Sequence, residues 1–298
     1  MATAAPRPAA PRPLAHRPAT PRRTRAPRWR TALRYAALVA VLLVMIGPFL
    51  WQLSTSLKGT TEDIYTSPPR LLPEHPTVAN YRDVADIIPV WDFILNSLKV
   101  AVSNVLTNVI GAAMAGYALS RLRFKGRGAA GLVFVLALLV PMEATMLAQF
   151  ATMRSLELNN TLVAVVLPGC IGAMNVLLMR NAFDNIPYEI EEAAIVDGAN
   201  VWQRFTRIAL PAVKGTLAVV AIFSFMGAWD DFLWPLIVLS DSDHFTLTVG
   251  LNFLHGTFSN NQRVVAAGTI IAVAPLIVMF ACLQRFFFRG VGEGAVKG

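Results

Sequence analysis

Two kinds of residue in this chain could do chemistry: acids set in apolar sequence, and a charged segment between two apolar runs. Asp230 and Asp231 lie in Trp229-Asp230-Asp231-Phe232-Leu233-Trp234-Pro235, and Glu143 follows Pro141 in another apolar stretch. Carboxylates inside membrane-like sequence are costly unless they face a polar cavity or a partner. Each is therefore a candidate for lining a solute path or for carrying protons or ions. Structural hydrogen bonding, or a place at an outer mouth, accounts for the aspartates as well. Enzyme chemistry finds little support. His16, His75, His244 and His255 stand apart, none well inside an apolar run, and no HExxH or Ser–His constellation occurs. Cys170 and Cys282 have no CxxC partner and read as buried small hydrophobes, so no metal site is expected. The glycines of the C-terminal tail lack the Walker pattern of a phosphate loop.

The charged segment spans residues 184–211. Pro187 can open a helix whose first turns hold Glu189, Glu191 and Glu192, which suits the positive end of the helix dipole. Gly198 can end it, because glycine takes a left-handed turn without steric cost. Asn200 can cap a second helix that runs to Leu210, where Pro211 stops or bends it. The product is a helix–turn–helix of mixed face, with Ala193, Ala194, Ile195, Val201, Phe205 and Ile208 apolar. By pattern alone it is a surface-lying amphipathic linker.

The elements that hold these residues are membrane spans. Of the 298 residues, 55% are hydrophobic and 15% charged, against about 25% charged in soluble chains. Mean hydropathy is +0.53. Six apolar segments, at about 33–53, 94–119, 129–151, 160–182, 213–239 and 264–287, approach the ~20 residues that a helix needs to cross a bilayer. Only helices satisfy their own backbone in lipid, so the expected fold class is all-α and polytopic. Gly111, Ala112, Ala115 and Gly116, like Gly169, Gly172 and Ala173, read as close-packing surfaces. The net charge of +8 is equalled by eight arginines within the first thirty residues, from Arg7 to Arg30. The balance is a property of the tail, and nucleic acid is not an expected partner. Residues 1–31, rich in Pro, Ala and Arg, are expected to be a disordered tail, and 32–298 a transmembrane domain. Arg121, Arg123, Lys125, Arg127, Arg180, Arg204, Arg207, Lys214, Arg285 and Arg289 gather on one side of a six-span arrangement, which places both termini in the cytoplasm.

The segment 184–211 resembles the EAA motif of ABC importer permeases: Glu-Ala-Ala, three residues, Gly, nine residues, Ile-x-Leu-Pro. Glu192-Ala193-Ala194, Gly198, Ile208, Leu210 and Pro211 meet each element at that spacing. Within that family the chain is closest to the maltose-type, carbohydrate-importing branch. Asn96-Ser97, Ala115-Gly116-Tyr117-Ala118-Leu119-Ser120-Arg121, and the tail from Gln284 to Gly298 carry this likeness. The resemblance implies a six-span type I importer fold in the inner membrane. Its partners would be a second permease subunit, an ATPase dimer that binds ATP and Mg, and an extracytoplasmic solute-binding protein. No cofactor is expected in this chain. In the family the motif docks on the ATPase. Glu192 and Asp197 would contact basic groups there, Ala193 and Ala194 would permit close approach, and Gly198 would make the turn. The tail would reach between the ATPase subunits. The branch also reads Trp-Asn-Asp/Glu-Phe-Leu-x-x-Pro in the stretch comparable to Trp229–Pro235, where Asp230 replaces the asparagine and one residue rather than two precedes the proline. On this resemblance Trp229, Asp230, Asp231 and Trp234, with Glu143, are candidates for the translocation path. The indoles would stack on a sugar or anchor the outer interface. Other small polar solutes, such as glycerol phosphate or a polyamine, stay open. So does an ion-coupled secondary transporter using Asp230, Asp231 and Glu143, although it leaves the EAA match without a purpose.

Overall fold

The computed structural model describes residues 28–68, 70–254 and 261–295, with Arg28, Leu283 and 285–295 described by backbone alone. Every regular element among them is helical. They are α1 (Arg28–Ser56), α2 (Ala79–Ile87), α3 (Val90–Arg121), α4 (Arg127–Ala137) and α5 (Met142–Ser155), then α6 (Leu162–Val166), α7 (Ala173–Asp184) and α8 (Tyr188–Val196). There follow α9 (Val201–Arg204), α10 (Leu210–Ala212), α11 (Lys214–Asp230), α12 (Leu233–Val238), α13 (Leu247–Asn252) and α14 (Gln262–Ala295). Residues 1–48 and 49–298 are two separate units. Most of the expected tail, residues 1–27, lies outside the described residues, and 28–31 already belong to α1. Within the first unit α1 is apolar on all sides, with Leu38 and Val44 among its many exposed large side chains. That is the composition of a helix meant for lipid or a membrane partner rather than water.

Among the described residues three helices are long and apolar enough to cross a membrane, and up to six spans result if each of three bent pairs counts as one. The expected six spans are compatible with this arrangement, three of them broken. α4 and α5 meet at 105°, the α6 and α7 segments at 44°, and the 201–212 segment meets α11 at 79°. A proline explains the first two breaks. It lacks an N–H, and its ring leaves the carbonyl four residues earlier without its helical donor. Pro141 separates α4 from α5, and Pro168 interrupts the α6–α7 span. The third bend falls at Val213, so the helix ends two residues beyond Pro211 rather than at it. The chain widens into a π-turn over Phe205–Ala209, with the Leu210 N–H donating to the Phe205 carbonyl.

α3 is the central element, packed against α7 along one side and α11 along another. Gly116 permits the α7 contact. A Cβ there would lie 2.7 Å from the Met179 Cβ and 2.8 Å from the Arg180 backbone nitrogen. Around the Arg121 half of α3 a core forms from Ala112, Tyr117, Val176, Met179, Phe183, Phe205 and Val220. A second core around the opposite end joins Phe93, Val84, Trp229, Leu247 and Val264. There the expected Asn96-Ser97 pair has a definite task. Asn96 donates to the carbonyls of Asp243 and Phe245, and the Ser97 hydroxyl accepts from the Leu247 N–H at 2.8 Å. Together they clasp the loop that leads into α13. Cys170 is half-buried and Cys282 exposed in the isolated chain, so the expectation of two buried cysteines does not hold.

Candidate functional site

The segment after α7 forms the helix–turn–helix that its sequence suggests. Pro187 precedes α8, and Gly198 takes a left-handed φ of +81° after it. Asn200 and Gln203 form a reciprocal capping box at the start of α9, each side chain accepting the other's backbone N–H at 2.9 Å. This satisfies two donors that a helix start otherwise leaves orphaned. Asn200 was legible as a cap; the role of Gln203 was missed, although the Asn-x-x-Gln spacing carried the signal.

The motif residues divide into two sets. Glu192, Ala193, Asp197, Gly198 and Pro211 are exposed, and Ile208 is half-exposed. Ala194 is 8% exposed and faces inward, where its carbonyl accepts the Ala199 N–H; Leu210 packs on the core around Tyr117 and Phe205. Exposed Ile190, Ile195, Val196, Val201 and Trp202 surround the outward set, Val196 at 87%. An apolar patch with two carboxylates and a small residue at its centre has the composition of a docking surface.

The base of this segment is joined to α3 through Glu191, which the sequence reading treated only as a first-turn acid. Its carboxylate accepts the Tyr117 hydroxyl at 2.8 Å. It also lies 3.6 Å from Arg121 Nη1 and 3.4 Å from Arg204 Nε. Arg121, its side chain 1% exposed, donates further to the carbonyls of Phe183 and Ile186 and lies over the Tyr188 ring at 4.5 Å. Next to it the Ser120 hydroxyl donates to Asp184 at 2.6 Å. Four elements (α3, α7, α8 and α9) therefore meet at one carboxylate and one buried guanidinium.

The second site is a cavity of about 720 Å³ whose lining includes Asn104, Asn108, Asn175, Ser224, Asp230 and Asp231. Asn108 organises it. Its Nδ2 donates to the Gly169 carbonyl at 2.8 Å and to Asn104 O at 3.0 Å, while its Oδ1 accepts from the Gly172 N–H at 2.7 Å and from Asn175 at 2.9 Å. Asn175 also donates to Ser224 at 3.1 Å. The α6–α7 break exposes backbone groups at membrane depth, and an α3 amide satisfies them. Sequence reading saw Gly169 and Gly172 as generic packing and missed the three asparagines. Asn104 and Asn108, one turn apart in an apolar helix, were the available signal.

The candidate path residues divide as well. Asp230, Asp231 and Trp234 line the cavity; Glu143 and Trp229 do not. Asp231 helps to repair its own break, since its Oδ1 accepts the Trp234 N–H at 3.4 Å and its carbonyl accepts the Thr248 hydroxyl at 2.6 Å. That carbonyl is the one Pro235 leaves free. Trp234, 1% exposed, donates its indole N–H at 3.0 Å to the Ala164 carbonyl, four residues before Pro168. Trp229, 3% exposed, donates likewise to Ala272. The burial of both indoles in the chain itself fits neither ring stacking on a solute nor an interfacial anchor. Glu143 is exposed on α5.

Helical structure throughout the described residues, several helices apolar enough to cross a membrane and a polar cavity define a multi-pass membrane protein. Residues 107–293 match the family described as the binding-protein-dependent transport system inner membrane component, and the chain belongs to that family. It is 36% identical over 273 residues to the inner membrane ABC transporter permease protein YcjP of Escherichia coli (strain K12), covering 89% of this chain and 95% of that one. It is 31% identical over 266 residues to the lactose transport system permease protein LacG of Rhizobium radiobacter, covering 89% and 96%. Among solved structures, a bacterial ABC transporter involved in import of the acidic polysaccharide alginate superposes with a TM-score of 0.77 at 25% identity, over 90% of this chain and 100% of that one.

Proposed function

We propose that this chain is the permease subunit of an ATP-driven importer that moves a sugar, as a mono- or oligosaccharide, delivered by an external binding protein. The observation that carries the reading is the division of residues 188–212. Glu192, Ala193 and Asp197 face outward, while the base of the segment is fastened to α3, which also lines the polar cavity. Such a segment needs no catalysis of its own. It converts movement of a separate ATPase, which binds ATP and Mg, into movement of the spans. Residues 32–298 form the six-span domain, in which α4–α5 and α6–α7 each cross once as a bent pair and α11 crosses without the docking segment that precedes it. Both termini are cytoplasmic, and the Arg/Pro-rich tail precedes the first span.

A second permease subunit completes the solute path. In this chain's half the path runs along Asn104, Asn108, Asn175 and Ser224, with Asp230 and Asp231 at one side. Amides and carboxylates suit hydroxyl groups, and the cavity lining contains no lysine, arginine or histidine. A sugar phosphate or glycerol phosphate would meet acids there. A polyamine is the second reading, favoured by one observation: neither aspartate makes an ion pair among the described residues.

The test is ATP-dependent uptake in a strain lacking this chain and complemented with wild type or Glu192→Lys, using labelled sugars with polyamine and glycerol phosphate as competitors. Wild type restores sugar uptake, Glu192→Lys inserts without restoring it, and neither competitor displaces the sugar. Uptake that follows an ion gradient without ATP would instead establish a secondary transporter.

A further inference from the structure

The motif directs attention to the outward Glu192, but the geometry makes its neighbour the mechanical joint. Glu189 and Glu192 are exposed, whereas the Glu191 side chain is 14% exposed and faces two arginines from two different elements. At 3.6 and 3.4 Å these contacts are ion pairs without hydrogen bonds, and Arg121 Nη1 and Arg204 Nε have no other acceptor. Removing one partner of such a buried cluster leaves the remaining charges uncompensated.

The joint sits where movement would have to pass. Arg204 leads through the π-turn and α10 into α11, which ends at Asp230 in the cavity wall. Tyr117 and Arg121 lie on α3, and Asn108 is nine residues from Tyr117 on the same helix. That separation is about 13 Å at 1.5 Å per residue. Asn108 makes three hydrogen bonds to the α6–α7 break, at Gly169, Gly172 and Asn175, so a shift of α3 along its axis must alter or carry that break. Phe183 and Phe205 pack against Tyr117 with ring centroids 5.5 and 5.1 Å away, which leaves the joint little freedom to slip.

Resting on the importer reading above, we propose that Glu191 is a positioning residue that fastens the docking segment to α3 and to the route into α11. Its loss would separate nucleotide hydrolysis from solute passage. Glu192 would hold the ATPase, and Glu191 would make its movement count.

The experiment is the complete importer in proteoliposomes, with uptake and ATP hydrolysis measured in the same vesicles for wild type, Glu191→Gln, Tyr117→Phe and Glu192→Lys. Glu191→Gln is expected to hydrolyse ATP within about twofold of wild type while uptake per ATP falls about tenfold, inside the ~5–150-fold range of coupling between sites. Tyr117→Phe keeps the ring contacts and removes only the hydroxyl bond to Glu191. It should lower the same ratio about two- to threefold, and it carries the test if Glu191→Gln does not assemble. An unchanged ratio in Glu191→Gln, or uptake and hydrolysis falling in parallel in both variants, would overturn the proposal. Full uptake in Glu192→Lys would instead remove the importer reading on which it rests.

Discussion

The docking segment and the cavity solve opposite problems. The segment is held by charge, Glu191 with Arg121 and Arg204. The cavity is held by amides, Asn104, Asn108 and Asn175, with Ser224. Ion pairs cost much to bury, whereas neutral amides satisfy exposed backbone without carrying charge into the membrane. On the proposed reading a charged joint would make a firm grip for a lever, and an amide ladder would let a broken helix persist inside the bilayer. α3 belongs to both.

The harshest way to break the comparison is to damage what the regions share. Gly116→Val would drive its side chain into Met179 and the Arg180 backbone, at a cost of about 3 kcal/mol from overpacking. No monodisperse protein should survive detergent extraction, as size-exclusion chromatography would show. Gly198→Pro separates the regions. It forces φ from +81° to near −65° and removes the N–H bond to the Ile195 carbonyl. Uptake should disappear while membrane insertion and the cavity remain; normal uptake would mean that the turn has no role.

On the cavity side, Asn108→Leu leaves the Gly172 N–H and Gly169 carbonyl without their partner, which costs roughly 2 kcal/mol. Thermal stability and uptake should both fall, while binding to the ATPase, measured by co-purification, stays intact. Trp234→Phe should be mildest, at about 1 kcal/mol, since it frees only the Ala164 carbonyl and keeps most of the buried ring. Uptake near the wild-type level in that variant would support a structural indole; a changed preference among solutes would return Trp234 to the path.

The same contrast explains what the sequence disclosed. The docking segment is contiguous, so the spacing of its glycine, prolines and Asn200 is enough to display two helices and a turn. Its inward half was hidden, because Glu191 acquires its meaning only from Tyr117 and Arg121, some seventy residues earlier. The cavity draws Asn108, Gly172 and Ser224 from three stretches, and no local pattern joins them. Hydropathy marked where the spans lie but could not show the bends between α4 and α5 or between α6 and α7, since an average over residues carries no chain direction. Trp229 and Trp234 invited a ligand-stacking role, but both rings are buried in the chain and their N–H groups are spent on the Ala272 and Ala164 carbonyls.

The central claim is that residues 188–212 dock on an ATP-hydrolysing subunit. The most direct measurement places a photo-crosslinking residue at Ala193, and separately at Val140 as an exposed control on the α4–α5 turn, in the intact importer in membranes. Mass spectrometry then identifies the adducts. The account predicts a product between position 193 and the ATPase that is absent from position 140. Labelling of lipid alone at position 193, in a complex that still transports, would contradict it.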